Sequence, residues 1–283
     1  MIDLKNKLKN MPTIYYVNLD NRNDRREYME SQFDQYKINF KRISASKYLA
    51  SEYEQWKHLI SNKKNYTLID KPATANFITH IEMIKEWLET TNEQFMIMME
   101  DDYDLSLIEY WNFDWDYLMN QIPFDCDCLQ LGFESFHCIH FFLHPKLPAT
   151  YFGACMITRF YAEKLVRLYY DNIENKYIVD NETNDIRHLN KGFAKGTVDY
   201  SICENGKTYC IPLIPQNPHF SSHENYHQRS YDYWEHVFET YRLYNNWWKK
   251  EHHKFSLTDF FTYGKVNDIE MTRKLSLGKI RYS

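Results

Sequence analysis

The sequence predicts an α/β fold with a helical appendage at its C-terminus, and three observations carry that expectation. A continuous apolar run, Phe95 to Met99, leads directly into Glu100, Asp101 and Asp102, with Asp104 just beyond. Such a run suits a strand buried on both faces, as in the middle of a parallel sheet. Strand-like and helix-like segments then follow one another along the chain. Hydrophobic residues at 43% and aromatic residues at 17% of 283 give ample material for a core.

Residues 13–19 form a β-branched and aromatic run, read as the first strand. A polar loop follows, with a helix starting near Asp24 as its N-cap. Asn18, Asp20, Arg22 and Arg25 then surround the strand's carboxyl end, where an acid can accept ribose hydroxyls and arginines can pair with phosphate. The plainer alternative is a charged loop with helix-capping ion pairs. Residues 38–43 alternate with period two and read as a second strand, and 47–66 as loop and short helix.

Residues 74–89 are the clearest helix of the N-terminal half, with Phe77, Ile81, Ile84 and Leu88 on one face. His80 lies near its first turns, where a lone histidine is more often structural than catalytic. The acids at 100–104 fall where the next strand ends, the place at which open α/β sheets bind ligands. Three adjacent carboxylates repel one another, and a hard divalent cation relieves that repulsion. An acidic surface turn is the alternative.

Residues 107–119 read as a short helix or ordered loop, and 126–133 as another interior strand. His137, His140 and His144 lack a zinc spacing. Residues 149–157 read as a strand and the stretch from Arg159 as a helix. Gly153 inside that strand implies a close approach to the backbone. Residues 171–196 read as exposed helix and loop, Asp199 stands ahead of a short helical pattern, and 209–214 read as a strand. That strand leads into a proline-bounded loop carrying His219 and His223. Residues 225–283, rich in Tyr, Trp and His, form the helical appendage, which packs on the 1–224 domain or mediates a contact, including one between copies of the chain.

The formal net charge of −5 argues against non-specific nucleic-acid binding, and only seven glycines argue against glycine-rich phosphate loops. Cysteines at 126, 128, 138, 155, 203 and 210 form no Cys-x-x-Cys pair, so buried free thiols in a reducing compartment are expected. No segment approaches 18 uninterrupted apolar residues and the N-terminus has no apolar leader, so a soluble cytoplasmic protein without a transmembrane segment is expected.

Six segments in order resemble glycosyltransferase family 25. Residues 16–25, Tyr-Val-Asn-Leu-Asp-Asn-Arg-Asn-Asp-Arg, are similar to its opening "(I/V)NLDRRxDR". Residues 40–45, Phe-Lys-Arg-Ile-Ser-Ala, are similar to "(F/R)xRxxA". Ile78-Thr79-His80 stands where that family has Leu-Ser-His, and Glu100-Asp101-Asp102 resembles its acidic motif. Residues 153–158 with 162–165 resemble its "G…Y(L/I)(I/S)xxxAxKL" segment, and Val198-Asp199 its "(P/V)VD". The chain departs from the pattern at Lys71-Pro72-Ala73, where the family has Gly-Glu.

The resemblance implies a GT-A type, Rossmann-like domain that moves galactose or glucose from a UDP-sugar to a glycan or hydroxylated protein acceptor, with inversion. It implies Mn2+ or Mg2+ held by Asp102 and Asp104, or Asp101 and Asp104, with His219 or His223 completing the set. Asn18, Asp20, Arg22, Arg25 and Ala45 would hold the uridine diphosphate end. Asp199 would deprotonate the acceptor or bind donor hydroxyls, and His80 would contact the sugar or pyrophosphate. A bacterial cytoplasm, or the host cytoplasm of a large DNA virus, suits such an enzyme. The alternatives are a nucleotide-sugar phosphohydrolase and a non-catalytic binding or assembly protein of the same fold.

Overall fold

The structure, a computed structural model, describes residues 4–61, 71–135, 138–147, 150–179, 198–220, 230–262 and 276–279. Its centre is a seven-stranded sheet. The strands are β1 (Ile14–Asn18), β2 (Phe40–Ser44), β3 (Phe95–Glu100), β4 (Cys128–Gln130), β5 (His144–Pro145), β6 (Cys155–Thr158) and β7 (Thr208–Cys210). They lie in the order β2-β1-β3-β6-β4-β7-β5. β1 is parallel to both β2 and β3, with Ile14 opposite Phe40 on one side and Ile97 on the other.

The apolar run 95–99 is an interior strand of the sheet, as its composition predicts, but the sheet around it is mixed. β6 runs antiparallel to β3 and to β4, while β4 and β7 are parallel. Burial on both faces gives the same apolar run in either setting, so composition does not reveal the reversed neighbour. The pairing brings the carboxyl ends of β1, β2, β3, β4 and β7 to one edge, and β6 starts from that edge.

Side chains alternate across the sheet. Ile14, Tyr16, Ile97 and Met99 face one core with Met29 and Phe33 of helix α1 (Asn23–Tyr36). Tyr15, Val17, Met96 and Met98 face another with Phe77, Ile78, Ile81 and Ile84 of helix α2 (Lys71–Thr90). α2 starts before the expected residue 74 because Pro72, whose ring fixes a helical φ and lacks an N–H, suits a first turn. α1 begins at Asn23, one residue before the cap expected at Asp24. Arg22 occupies the cap position without a side-chain cap bond, and Asp24 sits in the first turn. There its charge opposes the positive end of the helix dipole.

Helix α3 (Arg159–Tyr169) follows β6 at once, capped by Thr158, whose hydroxyl accepts from the Tyr161 amide. Residues 170–171 and 176–178, expected in a helix or loop, pair as short antiparallel strands. A helix α4 (Val198–Cys203) precedes β7, and a long helix α5 (Ser230–Asn246) opens the C-terminal segment. Tyr244, Trp247, Trp248, Phe260 and Phe261 of that segment lie in the same core as Ile14 and Met99. The Trp248 indole donates to the Pro212 carbonyl at 2.8 Å. Five cysteines (126, 128, 155, 203 and 210) are buried free thiols.

Two glycines lock the edge that carries the acids. A Cβ on Gly153 would lie 2.1 Å from the Gly132 carbonyl oxygen, and one on Gly132 would lie 2.0 Å from that of Ile214. The obstacles are backbone, which cannot rotate away. Gly153→Ala is therefore expected to lower stability by about 1–3 kcal/mol or more, read as a lower urea midpoint. An unchanged midpoint would show that the edge can open.

Candidate functional site

The carboxyl edge of β1–β3 gathers a continuous polar network. Asn18, at the end of β1, is buried; its Nδ2 donates to Asp101 Oδ2 at 2.7 Å and to the Arg22 carbonyl at 3.2 Å. Its Oδ1 accepts from Arg42 Nε at 2.8 Å. Arg42, on β2, also pairs with Asp20, which accepts from the Ser44 hydroxyl at 2.9 Å. The Arg42 guanidinium, with Ser44, holds the exposed Asp20 carboxyl below the usual range. Ala45 starts the turn Ala45–Tyr48 directly after β2.

The other oxygen of Asp101 accepts from Arg25 Nη1 at 2.7 Å, an ion pair with both side chains more than nine-tenths buried. Arg22 turns instead to its neighbour Asp24, with bonds of 2.9 and 2.7 Å, and holds that carboxyl at about 2.

Asp102 faces the loop that follows β7. Its Oδ2 accepts from Gln216 Nε2 at 2.9 Å, and its carbonyl from the Asn217 amide at 2.6 Å. Burial, with Asp101 beside it and Arg25 opposing, pushes its carboxyl up to about 6. Asp104 is held three ways. Its amide donates to the Pro215 carbonyl at 2.9 Å, Oδ1 accepts from the Ser106 amide at 2.8 Å, and Oδ2 from the Tyr241 hydroxyl at 2.6 Å. Glu100 accepts from Asn76 of α2 at 2.7 Å.

Each acid thus has its own set of partners. Among the described residues no group of three or more His, Cys, Asp or Glu side chains is placed to hold a metal ion by itself. One carboxylate oxygen differs: Asp102 Oδ1 is buried without a partner, as are Arg25 Nε and Nη2. A buried acceptor and buried N–H groups left without partners are costly, and here they belong to the electrostatic neighbours Asp102 and Arg25. The donor set fits a hard divalent cation in the mode that uses one or two carboxylates plus substrate phosphates rather than an all-protein cage. Asp102 is the residue that fits, whereas both oxygens of Asp101 and of Asp104 already accept hydrogen bonds.

The remaining residues expected at the site stand on other elements. His80 is fully buried, its Nδ1 2.9 Å from the Asn76 carbonyl oxygen and its ring edge-on to Phe152 at 5.3 Å. Desolvation lowers it to about 4. Its folded value lies below the ordinary 6.5, so its stabilisation is complete above pH 6.5 and is lost as pH falls toward 4. That loss is on the order of 3 kcal/mol. His80→Leu should flatten the dependence of the urea midpoint on pH across this window; an unchanged slope would mean that the imidazole is not held neutral.

His219 is exposed, its ring 5.5 Å from that of Phe238, on the loop tied to Asp102 through Gln216 and Asn217. Asp199 stands in α4. His223 and His137 lie outside the described residues. His140 and His144 pack ring to ring at 5.3 Å, far along the sheet on β5 and the segment before it.

Sequence reasoning did not single out Arg42, Gln216 or Tyr241. Arg42 lies in a segment whose likeness was noted, and its position on β2 beside Asn18 is a local signal. Gln216 and Tyr241 reach the acids from over a hundred residues away, and no spacing announces such contacts.

Comparison with known proteins bears on this edge of the sheet. Residues 11–115 match the model of glycosyltransferase family 25 (LPS biosynthesis protein). No curated protein matches the chain. Among solved structures, A197 from STIV aligns with a TM-score of 0.39 and 10% identity over 72% of this chain and 84% of that one. A glycosyltransferase involved in glycosylation of the major capsid of PBCV-1 aligns at 0.36 and 8%, over 71% and 80%. The glycosyltransferase GlyE of Streptococcus pneumoniae TIGR4 aligns at 0.35 and 10%, over 84% and 63%. These likenesses are too distant to carry residue roles. The matched segment, 11–115, is the one that builds β1 to β3 and the acidic turn.

Proposed function

We propose that the protein is a UDP-sugar-dependent glycosyltransferase of GT-A type whose donor diphosphate binds at the carboxyl edge of β1–β3. One observation carries this reading: Arg25, paired with Asp101, and its electrostatic neighbour Asp102 both keep buried polar atoms without partners. A guanidinium with free N–H groups suits phosphate oxygens, and a bare carboxylate oxygen suits the cation that accompanies them. Asn18, Asp20 and Arg42, at the neighbouring strand ends, suit the nucleoside, with the exposed Asp20 carboxylate available to ribose hydroxyls.

In this reading the acceptor hydroxyl attacks the anomeric carbon as the bond to the UDP oxygen breaks on the opposite face, inverting the centre. Asp199 is assigned the role of taking the hydroxyl proton. Arg25 stabilises charge arriving on the leaving diphosphate. A divalent cation, when bound, supplies Lewis-acid charge to the same group, and Asp102 would hold it, with His219 of the adjoining loop or with His223. The transferred sugar is proposed to be galactose or glucose, and the acceptor a glycan or protein hydroxyl.

The test is UDP release from a panel of UDP-sugars with Mn2+, with and without glycan and hydroxylated-peptide acceptors. Acceptor-stimulated release supports transfer. Acceptor-independent turnover to completion would replace it with hydrolysis, and absence of UDP-sugar binding would remove both.

A further inference from the structure

The acidic turn is held from the C-terminal side by a segment outside the family match, and this contact has a role of its own. Tyr241 of α5 donates its hydroxyl to Asp104 Oδ2 at 2.6 Å across 137 residues of sequence. Burial and the adjacent Asp104 carboxylate raise the Tyr241 phenol well above its ordinary value, so it stays protonated as a donor. Asp104 Oδ1 in turn fixes the Ser106 amide, and its own amide is tied to the Pro215 carbonyl. The next residues of that loop, Gln216 and Asn217, hold Asp102 by its carboxylate and its carbonyl. Asn217 is also braced from α1, its Nδ2 donating to the Tyr28 hydroxyl at 2.9 Å, while Tyr28 stacks on Phe220 at 4.3 Å.

We infer that Tyr241 is a positioning residue for the donor site: its hydroxyl fixes Asp104, and Asp104 joins the 215–217 loop to the turn that presents Asp102. The hydroxyl–carboxylate bond is charge-assisted, short and partly buried, the kind that holds one rotamer. A turn of adjacent carboxylates repels itself and needs such a bond to keep one geometry. Tyr241 thereby acts on the donor site through Asp104. Preorganised charge loses effectiveness when its support loosens, even where the fold persists.

The inference rests on the donor-site reading, and the matched pair Tyr241→Phe and Tyr244→Phe tests the two separately. Tyr244 lies on the same helix, and its hydroxyl donates to the Phe133 carbonyl at 3.1 Å. It anchors the helix to the backbone of Phe133. With full-length protein, Tyr241→Phe is expected to weaken Mn2+-dependent UDP binding about tenfold and to lower kcat with it, while Tyr244→Phe leaves UDP affinity within about twofold. Hydrogen exchange supplies a readout independent of activity. The amides of Asp104 and Ser106 should exchange about tenfold faster in Tyr241→Phe than in Tyr244→Phe. If wild-type protein binds no UDP, the donor-site reading fails, and the exchange rates still decide whether Tyr241 positions the turn. Equal exchange and equal UDP affinity in the two variants would overturn the inference.

Discussion

Asp102→Asn is expected to reduce UDP-sugar turnover roughly a hundred- to a thousandfold while leaving the protein folded and more stable at neutral pH. The two effects share one cause. Asp102 is 3% exposed, lies beside Asp101 and has its carboxyl raised to about 6. A carboxyl whose folded value lies above its unfolded one costs nothing below the unfolded value, 3.8. It costs progressively more as pH rises through 6 and its full amount above that. Asn keeps the acceptor for Gln216 Nε2 and carries no charge, so it removes that cost, worth about 1–3 kcal/mol at pH 7. The same substitution removes the oxygen that suits a cation. Turnover with Mn2+ and urea unfolding at pH 7 and pH 4.5 check both halves. The gain in stability should shrink at the lower pH. A variant as active as wild type, or less stable at pH 7, would contradict the assignment.

The second large effect is on stability. Arg25 and Asp101 form an ion pair at 2.7 Å with side chains 6% and 8% exposed. Arg25→Met leaves the Asp101 carboxylate buried with Asn18 as its remaining side-chain partner, and breaking a buried pair from one side costs about 3–5 kcal/mol. For a domain of this size that corresponds to a fall in Tm on the order of 10 °C. Replacing the pair together, as Arg25→Met with Asp101→Leu, removes the stranded charge and should recover most of the loss. Thermal unfolding of the two variants decides this. A loss below about 1 kcal/mol in Arg25→Met would show that the pair is worth no more than an exposed one. The recovered double variant should remain inactive, because Arg25 Nε and Nη2, the donors without partners, are gone with the guanidinium.

These two residues show how far the sequence alone reaches. The run 95–99 marks an interior strand because alternate side chains must be apolar on both faces, and its acidic end follows from chain order. The grouping of Asn18 and Arg25 with Asp101 is legible as well, since a polar residue ending one parallel strand must meet what ends its neighbour. Direction is less legible. β6 has the composition of a parallel interior strand and runs the other way, which only its pairing decides. Asp104 stands in an Asp-x-Asp spacing with Asp102, yet its oxygens go to Ser106 and Tyr241. Spacing places carboxylates near each other along the chain; the partners that arrive from distant segments decide where each one points. The aromatic residues around Tyr244 to Phe261 read as an appendage because their pattern is helical, and their burial with Ile14 and Met99 is a long-range packing fact. Gly153 is the converse case: its implied close approach is real, and the neighbour is the backbone of Gly132.

The central claim is that a nucleoside diphosphate and a divalent cation meet at Arg25 and Asp102. Calorimetric titration of the full-length protein with UDP, in Mn2+ and in chelator, tests it most directly. One UDP per chain, bound with Mn2+ and weakened at least tenfold by chelator and by Asp102→Asn, is the predicted result. UDP binding of equal strength in all three conditions, or none in any, would contradict it.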